Sequence, residues 1–281
     1  MAHCARSLAI CAYHMLFAAC AEDPFPEADV SRKRCGRSSG AMGSGLASSP
    51  VMTVTFIGDV HGWPERLAAV LARSEGELVF MGDLIDRGPD TPAVLDHVRT
   101  LTDEGRARCL LGNHEYALLR GLGAPDLDLA PDPVWFGLWR DRHGGRSVLR
   151  DYRADDAASL RQAMGPALIS WLAGLPWCLE GPGWLAVHAA LRQDQPFAEQ
   201  LACLRDGWRH LLHEPDHLYE KPGVLLDHPE LPPGVVLVSG HLPLPEPLIT
   251  SRRILCDTSG GLPGRVLSGV VWPGGRVVTS A

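Results

Sequence analysis

The sequence predicts an α/β protein in which two mixed β-sheets pack on each other, flanked by helices and carrying helical insertions. Three observations lead there. From residue 53, strand-like apolar runs alternate with helical periodicity, which implies a largely parallel sheet. Short strands return late, at 235–239, 252–256, 266–272 and 275–279, and call for a second sheet. Three apolar runs also finish alike, on a glycine and then a polar side chain: Ile57-Gly58-Asp59, Met81-Gly82-Asp83 and Leu111-Gly112-Asn113.

The first strand, 53–58, is alternating and β-branched. A helix follows from Pro64, a residue suited to a first helical turn, with Leu67, Val70, Leu71 and Ser74 at helical spacing. Strand 77–82 leads to a helix read with Thr91 as N-cap and Pro92 as its first residue. Its Val94, Leu95, Val98 and Leu101 share one face. Strand 107–112 runs into a helix at 114–120. Residues 121–176 lose this rhythm and hold Pro125, Pro131, Pro133 and a Trp135–Trp139 aromatic cluster. Helices are expected there near 156–163 and 166–173, as an insertion beside the site. Strand 184–188 restores the pattern, and a second helical piece covers 196–220. A Pro273-Gly274-Gly275 turn joins the last two strands.

Residues 52–281 read as one domain. For residues 1–51 three readings stand open. Arg6 followed by apolar Leu8–Ala21, with Ala19-Cys20-Ala21 as a cleavage site, has the form of a signal segment. Residues 22–50 have the composition of a disordered tail. The third reading is a translation start at Met52 or Met42. A cytoplasmic location is expected, or a periplasmic or secreted one if the signal is real.

A net charge of −7 advertises neither a nucleic-acid nor an anionic-membrane partner, and no apolar run is long enough to cross a bilayer. Lys33 and Lys221 are the only lysines. The eight cysteines form no C-x-x-C pair, which leaves a zinc knuckle or a dithiol motif without support. Cys109 and Cys256 lie in apolar runs as small buried hydrophobes.

The strand tips carry the chemistry. Asp59 and His61 lie two apart where a strand runs out, so both can turn toward one cation. Asp83 ends the next strand with two oxygens able to bridge a pair of ions. Asn113, His188 and His241 end three more. Carboxylate, amide and imidazole together suit Mn, Fe or Zn better than Mg or Ca. Two such ions would clamp a phosphate and activate a water for in-line attack.

Gly58-Asp59-Val60-His61-Gly62, Gly82-Asp83-Leu84-Ile85-Asp86-Arg87-Gly88 and Gly112-Asn113-His114-Glu115 resemble the three signature blocks of calcineurin-like metallophosphoesterases. The Asp86-Arg87-Gly88 form is similar to the phosphoprotein phosphatase branch and its bacterial serine/threonine members. Val187-His188-Ala189 and Ser239-Gly240-His241 resemble the two later ligand blocks. The resemblance implies a metallophosphoesterase-type sandwich and a phosphatase with two divalent metals, Mn first, Fe or Zn as alternatives. Its substrate would be a phosphorylated protein or a small phosphoester. Asp59, His61 and Asp83 would hold one ion, and Asp83, Asn113, His188 and His241 the other. His114, oriented by Asp86, would protonate the leaving oxygen. Arg87, Asn113 and a second arginine would bind phosphate. The segment Leu201–Asp206 makes Arg205 the choice, with Arg209 and Arg192 as alternatives. Symmetrical dinucleoside-tetraphosphate hydrolases share these blocks but generally lack the Asp-Arg-Gly form, so Asp86 favours the phosphomonoesterase. Asp257, in a block similar to the family's Ile-Asp-Thr-Gly, reads as structural. His97, His143, the group His210, His213, His217 and His228, and the Trp135/Trp139 pair read as ordinary. Glu115 reads as a local cap.

Overall fold

The computed structural model describes residues 52–210, 215–219 and 225–281; the three readings of residues 1–51 lie outside them. The first sheet begins with β1 (Val54–Ile57), β2 (Glu77–Phe80) and β3 (Ala107–Cys109), which run parallel. Crossover helices α1 (Pro64–Leu71) and α2 (Thr91–Asp103) connect them, as parallel pairing requires. On the other side of β1 the sheet gains an antiparallel hairpin, β9 (Ser268–Trp272) and β10 (Arg276–Thr279), in the order β10-β9-β1-β2-β3. The second sheet comprises β4 (Cys178–Gly181), β5 (Trp184–Val187), β6 (Val236–Ser239), β7 (Leu248–Ile249) and β8 (Arg253–Leu255), in the order β4-β5-β6-β8-β7. Here β5, β6 and β8 run parallel, with β4 and β7 antiparallel at the edges.

The two sheets bury a shared core. Val54, Phe56, Val79, Met81 and Leu110 from the first meet Trp184, Ala186, Val236, Val238 and Ile254 from the second. Phe56 and Trp184 pack edge to face with centroids 5.1 Å apart, an arrangement aromatic quadrupoles favour. Arg253 is buried among strand ends, where it donates to the carbonyls of Leu237 and Ala189 and to Ser239 Oγ. Burial pushes its guanidinium down to about 9.

Both expected insertions are helical. After β3, α3 (Asn113–Leu122) is followed by α4 (Pro133–Leu138), a π-helical turn (Trp139–His143), α5 (Arg146–Asp151) and α6 (Ala157–Ala173). Between β5 and β6 come α7 (Phe197–Asp206), a 3₁₀ turn (Gly207–His210) and α8 (Asp216–Tyr219). Among the described residues no helix is long and apolar enough to cross a membrane.

Two details differ from expectation and a third agrees with it. The cap of α2 is Asp90, whose side chain accepts from Ala93 N at 3.0 Å, so Thr91 is already helical. The two helices expected near 156–163 and 166–173 are both present within α6, separated where Gly165 leaves helical geometry (φ 73°) before Pro166. Strand β4 is not among the strands expected from the sequence; it hairpins onto β5 through Pro182-Gly183. Gly181 is required in that hairpin, because a Cβ there would lie 2.3 Å from the Trp184 ring.

Trp184 fills the space between the sheets, 2% exposed. Truncation to alanine should therefore cost about 3–5 kcal/mol. A urea titration should show an earlier midpoint with an unchanged m-value.

Candidate metal and catalytic centre

Parallel strands deliver their C-terminal ends to one side of a sheet, and ligand groups gather there. Asp59 and His61 follow β1, Asp83 follows β2, Asn113 opens the helix after β3, His188 follows β5, and Gly240-His241 follow β6. Asp59, His61, Asp83, Asn113 and His188 are buried. The loops that carry them adopt a conformation most residues avoid. Of seven non-glycine residues with positive φ among the described residues, five belong here: His61, Asp83, Asp86, Arg87 and His241. Such conformations cost on the order of 1–3 kcal/mol each and persist only where neighbours over-determine them.

The chief neighbour is Glu115. It is fully buried at the third position of α3 and accepts four backbone N–H groups: Gly112 (3.0 Å), Asp83 (2.9 Å), Leu84 (2.8 Å) and Ile85 (3.2 Å). Burial pushes its carboxyl up to about 7, while those N–H bonds pull the other way. Its reach to the β2 loop exceeds the local cap expected of it. Gly112 must be glycine, since a Cβ there would lie 2.2 Å from Asp83 Oδ1.

Two groups of ligand atoms share Asp83. In the first, His61 Nε2 and His114 Nε2 lie 3.7 and 3.6 Å from Asp83 Oδ2. In the second, His188 Nε2 lies 3.5 Å from Asp83 Oδ1, and His241 Nδ1 lies 3.2 Å from His188 Nε2. Asn113 Oδ1 joins the second group, 2.9 Å from His188 Nε2 and 3.1 Å from His241 Nδ1. Asp83 thus offers one oxygen to each side.

Proton placement makes these groups fit cations. His61 Nδ1 is 2.8 Å from the Ile85 carbonyl and His188 Nδ1 is 2.7 Å from the Met81 carbonyl. A carbonyl only accepts, so each Nδ1 carries the proton and each Nε2 presents a lone pair. With the Asn113 amide assigned oxygen inward, lone pairs of His188 Nε2, Asn113 Oδ1 and Asp83 Oδ1 face one another. Acceptors crowded in this way favour a cation among them, and imidazoles fixed through their other N–H are the usual metal-ligating arrangement. Burial holds His61, His114 and His188 below the usual histidine range, hence neutral. It raises Asp83 to about 7 and Asp59 well above the carboxylate range, Asp257 and Asp83 adding to the latter by repulsion. The residues fit two cations, which would offset the cost of burying those carboxylates.

Asp59 stands beside these groups rather than in one. Both its oxygens accept the His241 N–H at 3.1 Å. His114 sends Nδ1–H to Asp86 Oδ2 at 2.6 Å, and Asp86 is fully buried. Arg87, at the exposed edge, donates to His61 Nε2 (3.0 Å), His114 Nε2 (3.0 Å) and the Gly260 carbonyl (2.6 Å).

Arg205 is not brought to this cluster. Its guanidinium makes a bidentate pair with Glu180 of β4, at 2.8 Å for both bonds, on the surface. Arg192 pairs on the surface with Asp194, at 2.9 and 2.7 Å. The Arg209 and His210 side chains and all of His213 lie outside the description. His217 packs on Trp177, and burial pushes it down to about 3. His228 bonds Gln195 O at 2.9 Å. Both keep their ordinary reading. Two other residues do not: Trp139 Nε1–H donates to both Asp86 oxygens at 3.1 Å, and the His143 ring lies 5.0 Å from that of His114. Only the aromatic run of the insertion signalled them in the sequence.

The family model for calcineurin-like phosphoesterases matches residues 52–260. The chain belongs to that family. Curated relatives include proteins named symmetrical bis(5'-nucleosyl)-tetraphosphatase from Janthinobacterium sp. (strain Marseille) and Ralstonia nicotianae. The first is 32% identical over 160 residues, 55% of this chain and 50% of that protein. The second is 33% identical over 138 residues, 48% of this chain and 41% of that protein. The chain thus spans about half the length of the curated relatives it matches. Among solved structures, a cold-active protein tyrosine phosphatase matches with TM-score 0.50 and 17% identity, covering 82% of this chain and 78% of that one. That likeness is one of fold.

Because one carboxylate serves both groups, Asp83→Asn should lower bound metal toward zero at both positions, read by elemental analysis after dialysis. Retention of two ions per chain would contradict the shared role. Arg205→Ala, whose partner is Glu180, should leave kcat/KM within about twofold, as expected for an exposed pair.

Proposed function

We propose that the protein is a two-metal phosphomonoesterase acting on esters with poorly leaving alkoxides, a serine/threonine-type phosphoprotein being the leading substrate class. The observation that supports it best is the buried His114–Asp86 pair at 2.6 Å. A general acid matters most when the departing oxygen is strongly basic, as in an alkyl phosphate. A phosphoanhydride expels a phosphate oxygen, which departs with little help.

Asp59, which stands beside the first group, would join His61 and Asp83 on one ion and leave His114 for proton transfer. Asp83, Asn113, His188 and His241 would hold the other, with Mn first and Fe or Zn as alternatives. Bound there, the ions supply charge neutralisation for the phosphate and a lowered pKa for water. The remaining work falls to the chain. Arg87 reaches inward from the exposed edge, where its planar fork takes phosphate oxygens. Asn113 adds a contact to the same oxygens. His114, neutral at rest, would take a proton from solvent at Nε2 and give it to the leaving oxygen, while Asp86 holds the ring through Nδ1–H and stabilises the transient imidazolium. Residues 52–281 are proposed to form a single catalytic domain.

A second reading is hydrolysis of symmetrical dinucleoside tetraphosphates, the activity named for the curated relatives. A side-by-side assay with Mn separates the two: phosphoserine and phosphothreonine peptides, p-nitrophenyl phosphate and diadenosine tetraphosphate. Faster turnover of the phosphopeptides is expected, and preferred cleavage of the dinucleotide would establish the second reading. His114→Asn should keep both ions but lower kcat on phosphopeptides by about 10²–10⁴-fold. Its effect on p-nitrophenyl phosphate should be smaller.

A further inference from the structure

The His114–Asp86 pair does not hold itself in place. The Asp86 carboxylate receives the Trp139 indole N–H on both oxygens, at 3.1 Å each. The His114 ring meets the His143 ring edge-on, at 5.0 Å and 85°. The backbone N–H of Arg87 points to the Gly144 carbonyl at 3.5 Å. These contacts come from one stretch, Trp139-Arg140-Asp141-Arg142-His143-Gly144-Gly145.

The local geometry of that stretch is costly and specific. Trp139–His143 is a π-helical turn, a rare widened turn that is frequent at functional sites. Gly144 closes it in the left-handed region (φ 93°), open to glycine at no steric cost. Gly145 lies under the Trp139 ring, and a Cβ there would sit 2.5 Å from it. Core packing alone would ask only for an apolar body at Trp139; it would not aim the indole N–H between two carboxylate oxygens.

We propose that residues 139–145 are the positioning device of the proton donor. Trp139 fixes the Asp86 carboxylate, His143 fixes the plane of the His114 ring, and Gly144 ties the backbone of Arg87 to both. The inference rests on His114 being the general acid.

Trp139→Phe keeps the ring and deletes only the N–H. Its kcat on phenyl phosphate should fall by about tenfold or more, the scale of a lost hydrogen bond to a charged group. KM and metal content should hold, and kcat on dinitrophenyl phosphate, whose leaving group needs no proton, should change by less than about twofold. His143→Ala should show the same split, and His143→Phe, which restores an aromatic edge, should recover most of the rate. Losses shared equally by both esters, or no loss, would overturn the proposal. The proton NMR signal of His114 Nδ1–H, downfield because of its short bond to Asp86, gives a readout without turnover. It should move in Trp139→Phe, and an unmoved signal would also overturn the proposal. Should wild-type protein hydrolyse neither ester, the phosphatase reading fails while this signal still tests the positioning.

Discussion

The site's shape depends on a carboxylate that does no chemistry. Glu115 gathers the N–H groups of Gly112, Asp83, Leu84 and Ile85, and thereby ties the end of β2 to the start of α3. Asp83, Asp86 and Arg87 hang from that knot, all three at positive φ. Four N–H bonds to one buried carboxylate are charge-assisted, so together they can offset strain of a few kcal/mol. The loop they impose sends the Asp83 oxygens to opposite sides.

The larger scaffold explains why the ligands meet at all. Two sheets packed face to face each present parallel strands, and the ends of β1, β2, β3, β5 and β6 converge on one side. The apolar seam between the sheets fixes their separation, and the histidine rings are locked to it by carbonyls of the strand ends, such as Met81 for His188. Rigid layers with strained loops at one edge suit a centre in which acceptors must be held against acceptors.

The elements that formed as the sequence implied were those with strong local signals. Apolar runs ending in glycine plus a polar residue marked the loops of Asp59, Asp83 and Asn113, because a sharp backbone turn and a ligand type are both visible locally. What the sequence hid depended on partners far along the chain. Glu115 serves a loop about thirty residues earlier, and Trp139 answers a carboxylate 53 residues away. Arg205 follows from the resemblance of Leu201–Asp206 to the family's segment between the two later histidines. The strand carrying its partner, Glu180, had not been recognised, so the surface pairing could not be foreseen. The cap of α2 moved by one residue because Asp90 and Thr91 both have the chemistry of a cap.

The pairing of β1 with β9 has a consequence for biosynthesis. The strand that carries Asp59 and His61 is hydrogen-bonded along its length to residues 268–272, more than two hundred positions later. Its ligands also need His241 beside them, since the His241 N–H holds the Asp59 carboxylate. A nascent chain therefore exposes the Asp59–His61 segment long before the centre can close, and such long-range pairing is slow to form. The centre can close only after residues 241 and 268–272 have been made and have paired.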